Sequence, residues 1–478
     1  MSASLAEQLA GAVAALREPP REVRETAEKL VIDVAGLCVA ARNTDYVRAA
    51  LEGWEASGKC SAIGHARALD SAGAAFVNGT AAHGEDFDDT FEGGPIHAGA
   101  VIVPAVLAIC ERERISGKDA LRAIAVGVEL TCRGSLVAPK LIHKAGFHPT
   151  AVLGAMGAAA ACATALRLPK KQFVDALGVA GSMASGIIEY LAEGTWTKRM
   201  HPGWAAQAGI RAADLARAGF VGPRTVFEGE HGFLHGFART TDGKWDRVLD
   251  GFGKRWVTET VAFKLYPCGT MTHPYIDCAR RLAGKLDIEQ IEEVVCEAAE
   301  GTLHRLWEPL ASKQRPPNAY AAKFSQPYCI AAGFVLGNAG LDAFTDKRVA
   351  DPRLQRLAAK VRYEVDPDNP YPNEYTGHIR VRLKNGSILE ERQAHIRGGR
   401  HEPLSRADVE EKFLGNCAYG GWNTSQAQGF LKWVKGAFGA ASIDLSAFRA
   451  RGAPKTRPAR RASRRAPRPS ASGRSRRG

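Results

Sequence analysis

Through most of the first 260 residues, apolar side chains recur every three or four positions, and this spacing predicts helices. Across residues 22–42, Val23, Ala27, Leu30, Val31, Val34 and Leu37 share one face, and residues 100–109 and 151–166 read the same way. The last of these stretches, AVLGAMGAAAACATALRL, has almost no bulky side chain after its first turn. Small residues let neighbouring helices approach closely, so the pattern predicts a central helix in a helix-on-helix layer. The texture changes after Phe263. A helix is expected over 274–286, followed by the alternating strings IEEVVCEAA, KVRYEV and HIRVRLKNGSILEERQ, which read as strands with a tight turn at Asn385-Gly386. Helical spacing returns from Leu404 to about Phe448, opened by Ser405 as a cap with Asp408 three residues on. The chain is thus expected to be mainly α, with helical residues 1–262, an α+β region at 263–400 and a helical return at 401–450.

Charge separates a further segment. The 478 residues carry a formal +13, but 11 of the 64 Lys and Arg lie at 451–478 with no acid, so residues 1–450 carry only +2. The last 28 residues, rich in Pro, Ser and Arg without apolar periodicity, read as a disordered basic tail. Clustered arginines there allow electrostatic contact with nucleic acid, although no aromatic side chain interleaves to stack on bases. Elsewhere nucleic acid is not expected as a partner. The ten cysteines include no C-x-x-C pair, which argues against structural zinc or an iron–sulfur cluster. With no secretory start and no long apolar run, the chain reads as a cytoplasmic protein without a membrane anchor.

The candidate chemistry is carried by histidines and by one acidic stretch. His148-Pro149, His201-Pro202 and His273-Pro274 each stand where a helix is expected to begin, and His97 precedes another. Proline suits a first turn, and helix N-termini favour anions, so these positions predict a pocket for a small carboxylate in which imidazoles move protons. The stretch AHGEDFDDTFEGGPIHAGA gathers His83, Glu85, Asp86, Asp88, Asp89, Thr90, Glu92 and His97. Its carboxylates repel unless cations or hydrogen bonds relieve them. A nucleotide site is not expected: GVAGSMASG lacks the dinucleotide spacing, and no phosphate loop is present.

DFDDT with His97-Ala-Gly-Ala, GFHPT, GTWTKRMHPGWAAQAG, KLYPCGTMTHPYID and AKFSQPYC, in this order, resemble the MmgE/PrpD family over about residues 5–445. The resemblance implies a large all-helical domain built from both ends of the chain, an inserted smaller α+β lid domain, a homodimer, and no metal or other cofactor. Matched string by string, the family's active-site positions fall on Asp86, Thr90, His97, His148, Lys198, His273 and Tyr328. The roles expected are proton transfer for His148 and His273, charge stabilisation of a substrate carboxylate for Lys198, and orientation of an imidazole for Asp86. His97 and Thr90 are expected to bind substrate, and Tyr328 to donate a proton or hydrogen bond. His201 is expected to lend support.

The activity implied is that of a cofactor-independent lyase moving a proton next to a carboxylate. Dehydration of 2-methylcitrate is the first expectation, with decarboxylation of cis-aconitate and epimerisation of a carboxylate as alternatives. An inactive scaffold carrying a nucleic-acid-binding tail is the reading from a different class.

Overall fold

The computed structural model describes residues 2–94 and 96–450; the expectation of a disordered basic tail falls on residues outside the described ones. Helices form where the apolar spacing places them: α1 (Arg21–Ala41), α2 (Ser71–Gly84), α3 (Ala98–Glu113), α4 (Gly117–Ser135), α5 (Pro149–Ala165) and α6 (Thr197–Arg217). Every residue of α5 is buried, and α3, α4 and α6 all pack on it. The crossing of α2 and α6 is closer still. A Cβ added at Gly203 would stand 2.1 Å from the Phe76 carbonyl oxygen, and one at Gly79 would stand 2.7 Å from the Gly203 backbone. Two glycines thus let backbone meet backbone, which brings the end of α2 beside the start of α6.

One helix start differs from expectation. His201-Pro202 lies inside α6, which already begins at Thr197, whereas Pro149 opens α5 and His273-Pro274 opens the helix α7 (His273–Ala283). Pro202 costs α6 only the early bond to the Lys198 carbonyl, and the polar residues before it hid the first turn from a reading based on apolar spacing.

After α7 the chain forms a four-stranded sheet of β1 (Ile291–Ala298), β2 (Val361–Val365), β3 (Gly377–Leu383) and β4 (Ile388–Gln393), with helix α8 (Gln326–Leu336) between β1 and β2 in sequence. The strand order is β2-β1-β3-β4; β1 and β2 run parallel, and the other pairs antiparallel. Gly386 takes φ +85 at the expected β3–β4 turn, a backbone that glycine adopts without strain. Ile379 and Val381 of β3 are buried, and α7 packs across β3 and β4. The return helix α9 (Arg406–Tyr419) starts in a capping box of Ser405 and Asp408 and packs on α1.

Buried apolar side chains fall into two large groups. One joins residues 5–263 with 404–445 and Leu341, and the other runs from Tyr266 to Val381. The chain crosses between them twice, and the crossings touch: the Phe263 amide donates to the Gly398 carbonyl at 3.0 Å. Just before the first crossing, Val261–Ala262 pairs antiparallel with Thr90–Phe91. All ten cysteines are buried free thiols. Among the described residues no helix is long and apolar enough to cross a membrane.

Candidate active site

Four helix ends meet near the α2–α6 crossing. His83 lies in the last turn of α2, His97 precedes the first residue of α3, His148 precedes Pro149 of α5, and Lys198 and His201 lie in the first turns of α6. The rings stand close together: 4.7 Å between the centroids of His83 and His97, 5.7 Å from His83 to His148, and 5.3 Å from His148 to His201. The His148 backbone is held from the other side, its amide donating to the Gly186 carbonyl at 2.8 Å. Tyr190 closes that side, with its ring 6.3 Å from His148.

Hydrogen bonds orient the rings. His97 Nδ1 lies 2.7 Å from the Asp89 carbonyl oxygen, which can only accept, so the proton sits on Nδ1 and Nε2 carries the lone pair. His83 Nδ1 lies 2.8 Å from Asp88 Oδ2, which holds that ring in place; both side chains are fully buried. His148 and His201 share a proton between their Nδ1 atoms across 3.2 Å. Asp88 and Asp89 thus orient two of the rings, and Asp89 Oδ2 accepts from the Gly99 amide.

Asp86 has φ +56, a left-handed backbone uncommon outside glycine, so the surrounding contacts must hold it. Three buried lysines do so from distant parts of the chain. Lys323 Nζ donates to the Glu85 carbonyl at 2.7 Å, Lys264 to the Asp86 carbonyl at 2.9 Å, and Lys412 to the Phe87 carbonyl at 2.7 Å. Three consecutive carbonyls at the kink each receive an ammonium. The Asp86 carboxylate itself accepts from Lys198 at 2.7 Å, with Lys264 at 3.3 Å. Glu85 pairs with Lys323 and accepts from the Tyr46 hydroxyl.

These contacts decide the charges. Burial pushes the Asp86 carboxyl up, but Lys198 and Lys264 outweigh burial and hold it well below the ordinary range. Burial pulls the Lys198 ammonium down, yet Asp86 overrides it and raises the value. The imidazoles go the other way: burial lowers His97 to about 3 and His201 to about 4. His148 is held well below its usual value by burial and then by His83, His201 and Lys198. Burial, and then the neighbouring Asp88 charge, push Asp89 up to about 8. At neutral pH the site therefore holds neutral His97, His148 and His201 beside a charged lysine, an arrangement suited to receiving an anion and a proton.

Of the residues expected at the site, Asp86, His97, His148 and Lys198 come together here, and Thr90 is buried in the ladder just below. His273 and Tyr328 make their contacts with the second core. His273 is buried in the second core with its ring 5.2 Å from that of Tyr266, and neither ring nitrogen has a hydrogen-bond partner among the described residues. The Tyr328 hydroxyl donates to the Ala343 carbonyl at 2.6 Å, with its ring against Phe344. That proton is already committed within the core, which weighs against the donor role expected of it. Sequence reasoning assigned no role to His83, Lys264, Lys323, Lys412 or Tyr190. The available signal was a lone lysine in apolar company, as in Phe263-Lys264-Leu265 and Ala322-Lys323-Phe324. One ring nitrogen from each of His83, His97 and His148 lies within 4.8 Å of the other two, a spacing relevant to metal ions; Glu374, His395 and His401 form a second such group.

Similar proteins share this layout of sequence. Human cis-aconitate decarboxylase is 32% identical over 379 residues, 76% of each chain. Cis-aconitate decarboxylase from Aspergillus terreus is 28% identical over 423 residues, 82% of this chain and 85% of its own. The cis-aconitate decarboxylase-like protein oryM of Aspergillus oryzae is 27% identical over 419 residues, 82% of this chain and 86% of its own. Residues 7–246 match the MmgE/PrpD N-terminal domain and residues 266–432 the MmgE/PrpD C-terminal domain. By both matches, the chain belongs to the MmgE/PrpD family.

Proposed function

We propose that the chain is a lyase that decarboxylates cis-aconitate or a close tricarboxylate relative without a cofactor. The observation that carries the reading is the convergence of neutral His97 and His148 with Lys198 and Asp86, in a chain similar to cis-aconitate decarboxylases. These relatives favour decarboxylation over the 2-methylcitrate dehydration expected first.

The chemistry asks for charge stabilisation and a proton. As the C–C bond breaks, its electron pair spreads over an allylic carbon and a neighbouring carboxylate, where the Lys198 ammonium offsets the growing charge. Carbon dioxide departs, and an imidazole delivers a proton to the allylic carbon. The resting imidazoles are neutral, but entry of a polyanion raises their pKa, so the substrate itself recruits the proton. Dehydration would use the same imidazoles as bases and remains the second reading.

A second copy of the chain is proposed as partner. Ile187, Leu191, Trp196 and Trp204 are exposed on the segment and helix beside the site, an apolar group suited to burial against another protomer.

Purified protein supplied with cis-aconitate should release carbon dioxide and form one unsaturated dicarboxylate. Carbon dioxide-free formation of an unsaturated product from 2-methylcitrate, with cis-aconitate untouched, would replace decarboxylation by dehydration. Light scattering at the peak of a sizing column should return twice the chain mass; a monomer would remove the partner.

A further inference from the structure

We propose that His83, His97 and His148 together bind a divalent transition-metal ion of the zinc class, and that the bound ion shuts the pocket. Three nitrogens, one from each imidazole, lie within 4.8 Å of one another, and all three residues are buried. Each ring is already anchored through Nδ1: His83 on Asp88 Oδ2, His97 on the Asp89 carbonyl, and His148 on His201. Such outer partners fix the ring and increase its donor strength in histidine-ligated metal sites. An independent sign is His83 Nε2, fully buried and without a hydrogen-bond partner among the described residues. A buried imidazole nitrogen left without any partner is a position open to a ligand.

The fit is chemical as well as geometric. Zinc holds imidazole nitrogens at ~2.0–2.1 Å, which brings them to roughly 3.4 Å from one another, so modest ring rotations from the present spacing suffice. The nearby ammonium groups of Lys198 and Lys264 are both engaged by Asp86. Inhibition follows from the lone pairs: those that would accept a proton in catalysis are the ones the metal takes. The inhibitory half rests on the lyase reading, and the binding half does not.

The test uses the full-length chain with His395→Ala and His401→Ala, which removes the second group of possible ligands. Cobalt(II) titrated into this protein should develop the visible d–d absorption of a histidine-ligated site, saturate at a single equivalent and be displaced by zinc. His83→Ala should abolish the band. Asp88→Asn should weaken binding by ~10–100-fold while circular dichroism stays unchanged. Turnover of cis-aconitate should fall along the same zinc titration and return with a chelator. No band, or an equal band in His83→Ala, would overturn the site. A band with undiminished turnover would overturn the inhibition. A protein that binds cobalt yet turns over neither substrate would sink the lyase reading and the inhibitory half, and leave the metal site standing.

Discussion

Lys198 and Asp86 form a pair in which each side chain maintains the other's charge, so the two should not be equivalent in a substitution experiment. Lys198→Ala removes the group that offsets substrate charge and also leaves Asp86 with Lys264 as its remaining neighbouring ammonium. It should lower kcat/KM by at least ~10²-fold, as should His148→Ala, in proteins whose circular dichroism matches the parent. Undiminished turnover in either folded variant would defeat the site assignment. Asp89 supplies a second prediction at this scale. Its folded-state value of about 8 lies above the ordinary 3.8, so the folded chain keeps a proton that the unfolded chain has lost. Stability is therefore lost as pH rises from about 4 to about 8. His97 and His201 act oppositely: their values of about 3 and 4 lie below 6.5, so stability is lost as pH falls below 6.5. Asp89→Asn should remove the decline between about pH 6.5 and 8, where the histidines contribute no slope, and steepen the rise between about pH 4 and 6.5, in a series of melting temperatures. A profile between pH 6.5 and 8 identical to the parent would mean that Asp89 ionises normally.

At the scale of elements, the α2–α6 crossing positions the imidazoles, because the end of α2 carries His83 and the start of α6 carries His201 and Lys198. Gly203→Ala pushes a methyl group toward the Phe76 carbonyl and should cost about 1–3 kcal/mol in urea unfolding, with a larger loss of turnover than stability alone explains. Equal stability would show that the helices separate freely. The helices and the four strands were legible in the sequence because their signals are local: apolar spacing, capping residues and the Asn385-Gly386 turn. His97 and His148 were legible too, as residues that precede helices. The start of α6 was not, since Thr197, Lys198, Arg199 and Met200 offer no apolar face to read. The carbonyl clamp was still further from view. Its lysines reach Glu85, Asp86 and Phe87 across 238, 178 and 325 residues, and no local pattern encodes such a pairing.

For the whole molecule, the telling fact is that the candidate residues divide between two cores. Asp86, His97, His148 and Lys198 belong with the first, whereas His273 and Tyr328 belong with the second. If the cores close on bound substrate by bending at the Phe263–Gly398 crossing, His273 joins the site only then. On that reading His273→Ala lowers kcat by ~10²-fold with little change in melting temperature. A lowered melting temperature with normal kcat would instead make it a packing residue of the second core.

The clamp around Asp86 has a consequence for how the protein is made. The carbonyls of residues 85–87 leave the ribosome early, but the ammonium groups that satisfy them come from residues 264, 323 and 412. A nascent chain of 250 residues already contains His83, His97, His148, Lys198 and His201, together with the Tyr46 and Lys198 contacts to Glu85 and Asp86, but none of the three lysines that satisfy the carbonyls at the kink. The full clamp therefore closes only once nearly the whole chain has been synthesised and folded back on itself. Unfinished chains carry the histidines and the Asp86–Lys198 pair without that support.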